Sequence, residues 1–365
     1  MPRICLNMIV KNESANLERC LSALAPHIDC YVICDTGSTD KTVELIERFF
    51  GERGIPGRVP RTTFRNFEQA RNEALEAARS SDLEFDYLLL CDADMELKVD
   101  RPGFRDGLKE PVYSLVQRHA GGGLEYSNIR LVRRDAEARY RGVTHEYLDV
   151  GRFARPVLEG VWYLDHASGA NRVTKYERDV ALLTEALRVD PADARSVFYL
   201  ANSYFDMGDS AGAIPVYERR IDLGGWSEEQ FYSSYRIGLC HGRLGHDAEM
   251  IRRMLETFEK FPHRAEPLHA LALHFQRQGQ HRLAYHFAEI GSRILQPNGA
   301  LFVEPEVYTW RLVDIMSVSL YWLKRPVEGA ELSKRLLEVV PADQRPRVFK
   351  NLQFCEQALA RPQRA

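Results

Sequence analysis

The stretch Tyr87-Leu88-Leu89-Leu90-Cys91-Asp92-Ala93-Asp94 begins as an apolar run and stops abruptly in two carboxylates. A short apolar run of this kind reads as a buried strand, and in open α/β sheets ligands bind beyond the carboxyl ends of the strands. Side chains two apart share a face of a strand, so Asp92 and Asp94 repel one another unless something positive sits beside them. A hard divalent cation, Mg²⁺ or Mn²⁺, is the natural occupant, and such ions are usually shared with substrate phosphates. An Asp-x-Asp by itself is common in surface turns, so its surroundings decide the reading.

Those surroundings repeat the pattern. Tyr31-Val32-Ile33-Cys34-Asp35 is a second apolar run ending in an acid, followed by Thr36-Gly37-Ser38-Thr39-Asp40 and a helical pattern over residues 41–50. Ser38, Thr39 and Asp40 suit helix capping, which leaves Asp35 unexplained. Residues 4–10 form a first strand ending in Lys11-Asn12-Glu13-Ser14, residues 58–63 a weaker third, and residues 86–91 the fourth. Residues 16–25 and 67–79 carry apolar side chains at helical spacing, so strands and helices alternate as in an α/β domain with a mixed or mostly parallel sheet. Further strands are expected at 112–118, 127–133, 146–150 and 157–164, separated by Gly121-Gly122-Gly123 and other turn signals.

From about Lys175 the strand signals vanish and helical patterns follow one another. Pro191 and Pro262 are 71 residues apart and Pro262 and Pro297 are 35 apart, with Pro341 beyond. Gly208, Gly245 and Gly279 are spaced by 37 and 34, and an alanine stands five residues after two of them, Ala213 and Ala284. That is the arithmetic of stacked helix pairs, and Tyr199, Tyr204, Gly208, Ala213 and Tyr217 together resemble a tetratricopeptide unit. The junction Lys175-Tyr176-Glu177-Arg178-Asp179, with Tyr199, Tyr204, Tyr217, Arg219, Arg220, Trp226, Tyr232, Tyr235 and Arg236, suits either a recognition surface or a packed core.

Composition narrows the function classes. The chain has 365 residues, 49 basic and 52 acidic side chains and a formal charge of −3, so nothing favours nucleic acid as a partner. No apolar run approaches the roughly 20 residues of a membrane span, and Met1-Pro2-Arg3 leads straight into a strand without a signal-peptide pattern. The seven cysteines stand in no CxxC pair, as buried free thiols in a cytoplasmic protein would. Neither GxGxxG nor GxxxxGK[ST] occurs, which argues against a dinucleotide dehydrogenase and a P-loop NTPase.

Four motifs in register, Ile9-Val10-Lys11-Asn12-Glu13, Asp35 to Asp40, Ala70-Arg71-Asn72 and Asp92-Ala93-Asp94, resemble the family 2 glycosyltransferases of the GT-A fold. The resemblance is strong over residues 3–100 and fades toward 170. It implies a GT-A domain over 1–174, followed by a tetratricopeptide-like domain over 175–365, and an inverting transfer of a hexosyl group from a nucleotide sugar, usually a UDP-sugar. By position it implies that Asn12 and Glu13 lie at the donor and that Asp35 accepts from the base. It likewise puts Arg71 near the nucleotide, Asp92 at the ribose and hydrated metal, and Asp94 on the metal itself. Glu146 matches the acceptor-side base and His166 a further metal ligand, with Asp165 a second candidate base. Against these stand Glu146 in an ion pair with Arg139 or Arg141, His145 as a simple hydrogen-bond donor, and His166 as an ordinary loop histidine. The acceptor, a saccharide, peptide or protein, is expected near the helical repeats. Two other classes fit less well: a catalytically inactive repeat scaffold that binds a protein partner, and a sugar nucleotidyltransferase, whose glycine-rich phosphate loop is missing from Lys11-Asn12-Glu13-Ser14.

Overall fold

The computed structural model describes residues 1–122, 125–168, 175–298, 300 and 302–360. Gly123, Gly169 and residue 174, the last before the expected domain boundary, lie outside them. The chain divides into two compact units, Met1–Val189 and Asp190–Ala365.

In the first unit the chain runs β1 (Ile4–Val10), α1 (Ser14–Leu24), β2 (Cys30–Asp35), α2 (Thr42–Gly51), β3 (Gly57–Arg58), α3 (Phe67–Arg79), β4 (Tyr87–Leu90) and β5 (Met95–Val99). It continues through β6 (Val112–His119), β7 (Glu125–Arg133), β8 (Arg139–Arg141), β9 (Tyr147–Asp149), β10 (Val157–Asp165) and α4 (Lys175–Val189). Eight strands form one sheet in the order β3-β2-β1-β4-β7-β6-β10-β5, while β8 and β9 form a separate ribbon. The first four strands are parallel, and β7 enters antiparallel to both β4 and β6.

Alternation along the strands builds a core on each face of the sheet. Ile4, Leu6, Met8 and Val10 of β1 pack on one face with Leu17 and Leu21 of α1 and Ile46 and Phe50 of α2. Cys5, Val32, Leu88 and Leu90 pack on the other with Leu75 and Ala78 of α3. Asn7, polar within β1, is buried yet satisfied: its amide donates to the carbonyls of Val32 and Ala74. Asn66 caps α3 by accepting from the Gln69 N–H at 2.8 Å.

The strand expected over 58–63 shrinks to Gly57–Arg58 plus a single bridge between Asp35 and Arg61. Pro56 and Pro60 offer only their carbonyls to Tyr31 and Asp35, so the ladder cannot extend in both directions. Strand β5 goes unnoticed in the sequence because it starts directly after the acid pair. Its alternating Met95, Leu97 and Val99 nonetheless face the core, and it pairs antiparallel with β10.

The second unit contains α5 (Ala194–Asp206), α6 (Ser210–Asp222), α7 (Ser227–Arg243), α8 (Asp247–Lys260), α9 (Glu266–Arg277) and α10 (His281–Gly291). It ends with α11 (Leu312–Trp322), α12 (Pro326–Val339) and α13 (Arg345–Ala360). Gly208, Gly245 and Gly279 take φ values of 85°, 75° and 70° where one helix hands over to the next. After each of them the following N–H returns to a carbonyl five residues back, Asp209 to Tyr204, His246 to His241 and Gln280 to Phe275. This is the left-handed C-terminal cap that glycine adopts without strain. Lys324 occupies the same place between α11 and α12 at φ 60°, with Arg325 N–H returning to Leu320. The repeat therefore continues where the glycine signal stops. Ala213 and Ala284 are fully buried, and Tyr217, Tyr232 and Tyr235 lie in the core, whereas Trp226 is half exposed. An α/β domain followed by an all-α helical repeat is the architecture implied by the sequence.

Candidate active site

Four backbone N–H groups tie the ends of β1 and β2 together. Asn12 N–H donates to Ser38 Oγ, Thr39 N–H to Asn12 Oδ1, Glu13 N–H to Thr42 Oγ1 and Ser14 N–H to Asp40 Oδ2. Asn12 makes this possible by taking φ 56°, a conformation asparagine tolerates. Asp35 is buried, with its carboxylate accepting from the Ser38 N–H at 3.0 Å. The Ser38 to Asp40 segment thus acts as a clasp between two strand ends as well as a lead into α2.

Beside this clasp opens a cleft of about 430 Å³. Lys11 and Glu13 reach it from the end of β1, Thr36 from β2, Asp92 and Asp94 from β4, Arg71 and Phe67 from α3, and Arg178 from α4. Asn12 and Asp35 are not among its lining residues. Asp92 is held between two guanidiniums, with Oδ1 2.6 Å from Arg71 Nη2 and Oδ2 3.0 Å from Arg130 Nη2. Burial alone would raise the pKa of this carboxyl, but the two arginines outweigh it and hold it well below the usual carboxylate range. Burial works in the opposite direction on Arg71 and Arg130, and the charge of Asp92 overrides it to keep both protonated.

Arg71 also reaches Glu146, Nε to Oε1 at 2.5 Å. The partner of Glu146 is therefore a helix residue 75 positions away and not the nearby Arg139 or Arg141. Glu146 lines a second, polar cavity of about 330 Å³ with Ser114, Asn128, Arg130, Tyr140 and His145, and Arg71 and Asp92 belong to its wall as well. The Arg71–Asp92 ion pair thus belongs to the walls of both spaces.

His166 sits at the end of β10. Its N–H donates to the Asp94 carbonyl at 3.1 Å, and its Nε2 faces Glu96 Oε2 at 3.1 Å. The Asp165 carboxylate accepts from the Ala167 N–H at 2.7 Å. Among the described residues, no three His, Cys, Asp or Glu side chains gather as a protein-only metal site requires. A divalent ion completed by substrate phosphates needs only one or two carboxylates, and Asp94 presents a carboxylate on the cleft wall.

Sequence reading misses Arg130, although an arginine beside Ile129, Leu131 and Val132 in a strand is the kind of anomaly that marks a buried ion pair. Arg178, assigned by the sequence to the repeat side of the junction, lines the cleft instead. Its helix α4 belongs to the first unit, where Asp179 is fully buried and accepts from Thr144 Oγ1 at 3.2 Å.

Comparison with known proteins adds four findings. Residues 5–103 match the family model described as Glycosyl transferase family 2. Over 169 residues the chain is 30% identical to a TPR repeat-containing protein of Synechococcus elongatus, covering 44% of this chain and 39% of the relative. Over 234 residues it is 23% identical to the SPbeta prophage-derived glycosyltransferase SunS of Bacillus subtilis, covering 60% of this chain and 54% of the relative. The chain thus spans about half or less of the curated relatives it matches. Among solved structures, S. aureus TarS 1–349 aligns with a TM-score of 0.38 at 15% identity, over 71% of this chain and 91% of that one.

Proposed function

We propose, from the premise that residues 5–103 form a family 2 glycosyltransferase domain of the GT-A type, that the chain transfers a sugar from a nucleotide-sugar donor, a UDP-sugar, with inversion. The observation that carries this reading is the shared cleft: side chains from three strand ends and two helices, Lys11, Glu13, Thr36, Arg71, Asp92, Asp94 and Arg178, line one space at the carboxyl edge of the sheet. In this reading the nucleotide lies along the β1 and β2 ends, where Asp35 and the clasp fix the loop that meets the base. Asp94 is the carboxylate that would hold Mg²⁺ or Mn²⁺ in the cleft, with His166, whose backbone N–H donates to the Asp94 carbonyl, as the further proposed ligand. Once bound, the ion acts as a Lewis acid on the leaving group.

Asp92 keeps a fixed negative charge at the rim because Arg71 and Arg130 pin both of its oxygens. The acceptor hydroxyl approaches from the second cavity, where Glu146 takes its proton as the new bond forms. Arg71 orients Glu146 through the ion pair and so aims the base at the boundary between the two spaces. A peptide or protein is the acceptor class that we associate with the helix-pair repeats, by analogy of fold.

The test is donor turnover in the wild type and in Asp94→Asn. Wild-type protein should hydrolyse or transfer from a UDP-sugar only with Mn²⁺ or Mg²⁺ present, and Asp94→Asn should lose about a hundredfold or more of that rate while keeping its circular dichroism. Full activity in Asp94→Asn, or equal activity in EDTA, would refute the metal role.

A further inference from the structure

We infer that Arg178, outside the matched domain and on the helix after the sheet, binds the diphosphate of the donor. The inference rests on reading the cleft as the donor site and adds to it a residue that the motifs of residues 5–103 do not contain.

A nucleoside diphosphate carries more negative charge than one divalent ion held by one carboxylate offsets. Beside Lys11 on the wall, a further cation that keeps hydrogen-bond donors for phosphate oxygens would add to that offset. Arg71, on the same wall, is shared between two carboxylates, Asp92 and Glu146. Arg178 differs. One edge of its guanidinium, Nε and Nη2, faces Asp179 Oδ1 at 3.4 and 3.2 Å, and its plane lies over the Phe67 ring, 4.8 Å from the centroid. Nη1 makes no hydrogen bond among the described residues, and the side chain, 27% exposed, lines the cleft.

A guanidinium with one edge fixed by a carboxylate presents its remaining donors in a set direction, the arrangement suited to phosphate oxygens. The anchor is itself secured. Asp179 is fully buried, accepts from Thr144 Oγ1, and stands 3.9 Å from His145 Nε2. Asp179 is therefore a positioning residue for Arg178, and the segment from Thr144 to Glu146 supports both the proposed base and the proposed phosphate cation.

The experiment is calorimetric titration of wild type, Arg178→Ala, Arg178→Lys and Asp179→Asn with UDP and GDP, each compared with its nucleoside, in Mn²⁺. For the diphosphate that the wild type binds, Arg178→Ala should weaken affinity about 10- to 100-fold, in line with the loss of charge-assisted hydrogen bonds, and leave the nucleoside unchanged. Arg178→Lys should recover part of the loss, because it restores the charge without the fork. Diphosphate affinity within twofold of wild type in Arg178→Ala, or an equal loss for nucleoside and diphosphate, would overturn the assignment. A wild type that binds neither diphosphate would overturn the donor reading and this inference together.

Discussion

Glu146→Gln is expected to slow sugar transfer by about 10²- to 10⁴-fold, the range lost when a positioned general base is removed, while donor affinity changes little. Glu146 lines the second cavity and is paired with Arg71, which lines both, so in the proposed mechanism its carboxylate serves the acceptor side. The amide retains the shape and one acceptor oxygen toward Arg71 Nε, which keeps the Arg71–Asp92 pair in place. A group that acts only on the acceptor's proton lowers kcat and kcat/KM together without altering donor binding. Asp165→Asn is the control, since that carboxylate is engaged by the Ala167 N–H. If Glu146→Gln weakens donor binding as much as it slows transfer, the residue is a structural ion-pair partner. If Asp165→Asn instead carries the rate loss, the base is Asp165.

Arg264→Met is expected to destabilise the helical-repeat unit by about 3–5 kcal/mol, the usual penalty for breaking a buried ion pair from one side. Arg264 is completely buried. It grips Glu266 with Nε and Nη2 at 3.1 and 2.8 Å, reaches Glu228 at 2.8 Å, and lies over the Phe231 ring at 3.9 Å. Removing the guanidinium leaves the Glu266 carboxylate, 1% exposed, with Tyr308 as its remaining side-chain hydrogen-bond donor among the described residues, at 2.6 Å. For a unit of this size the melting transition should fall by roughly 6–20 °C. Arg264→Met combined with Glu266→Gln should recover much of the loss, because the stranded charge is then gone. A single variant that melts within about 2 °C of wild type would show that the cluster is not a stabilising pair.

The legible parts of the fold are those encoded by neighbours in sequence. Strand β1 and the run from Tyr87 to Cys91 show themselves through local apolar patterning, and the hand-over points of the repeats through Gly208, Gly245 and Gly279, since a positive φ favours glycine. Lys324 marks the limit of that signal: the same turn recurs with a residue that gives no hint of it. What stays hidden is pairing across long separations. Nothing near Glu146 announces Arg71, and nothing near Asp92 announces Arg130, because the sheet order brings β7 beside β4 only after folding. The same holds for Arg178, whose helical context fits the repeats that follow it, although its side chain completes a cleft begun at residue 9. Pro60 stands inside the span expected for the third strand, and the observed strand stops short of it at Gly57–Arg58.

The central claim is that the carboxyl edge of the amino-terminal sheet receives a nucleotide sugar together with a divalent ion. It is tested most directly by the thermal stability of the whole chain in the presence of nucleoside diphosphates, with and without Mn²⁺, because a ligand that binds only the native state raises its melting temperature. A rise for one diphosphate, UDP, that requires Mn²⁺ and disappears in Asp94→Asn is the expected result. No shift with any diphosphate, or the same shift with Mn²⁺ removed and Asp94 replaced, would contradict it.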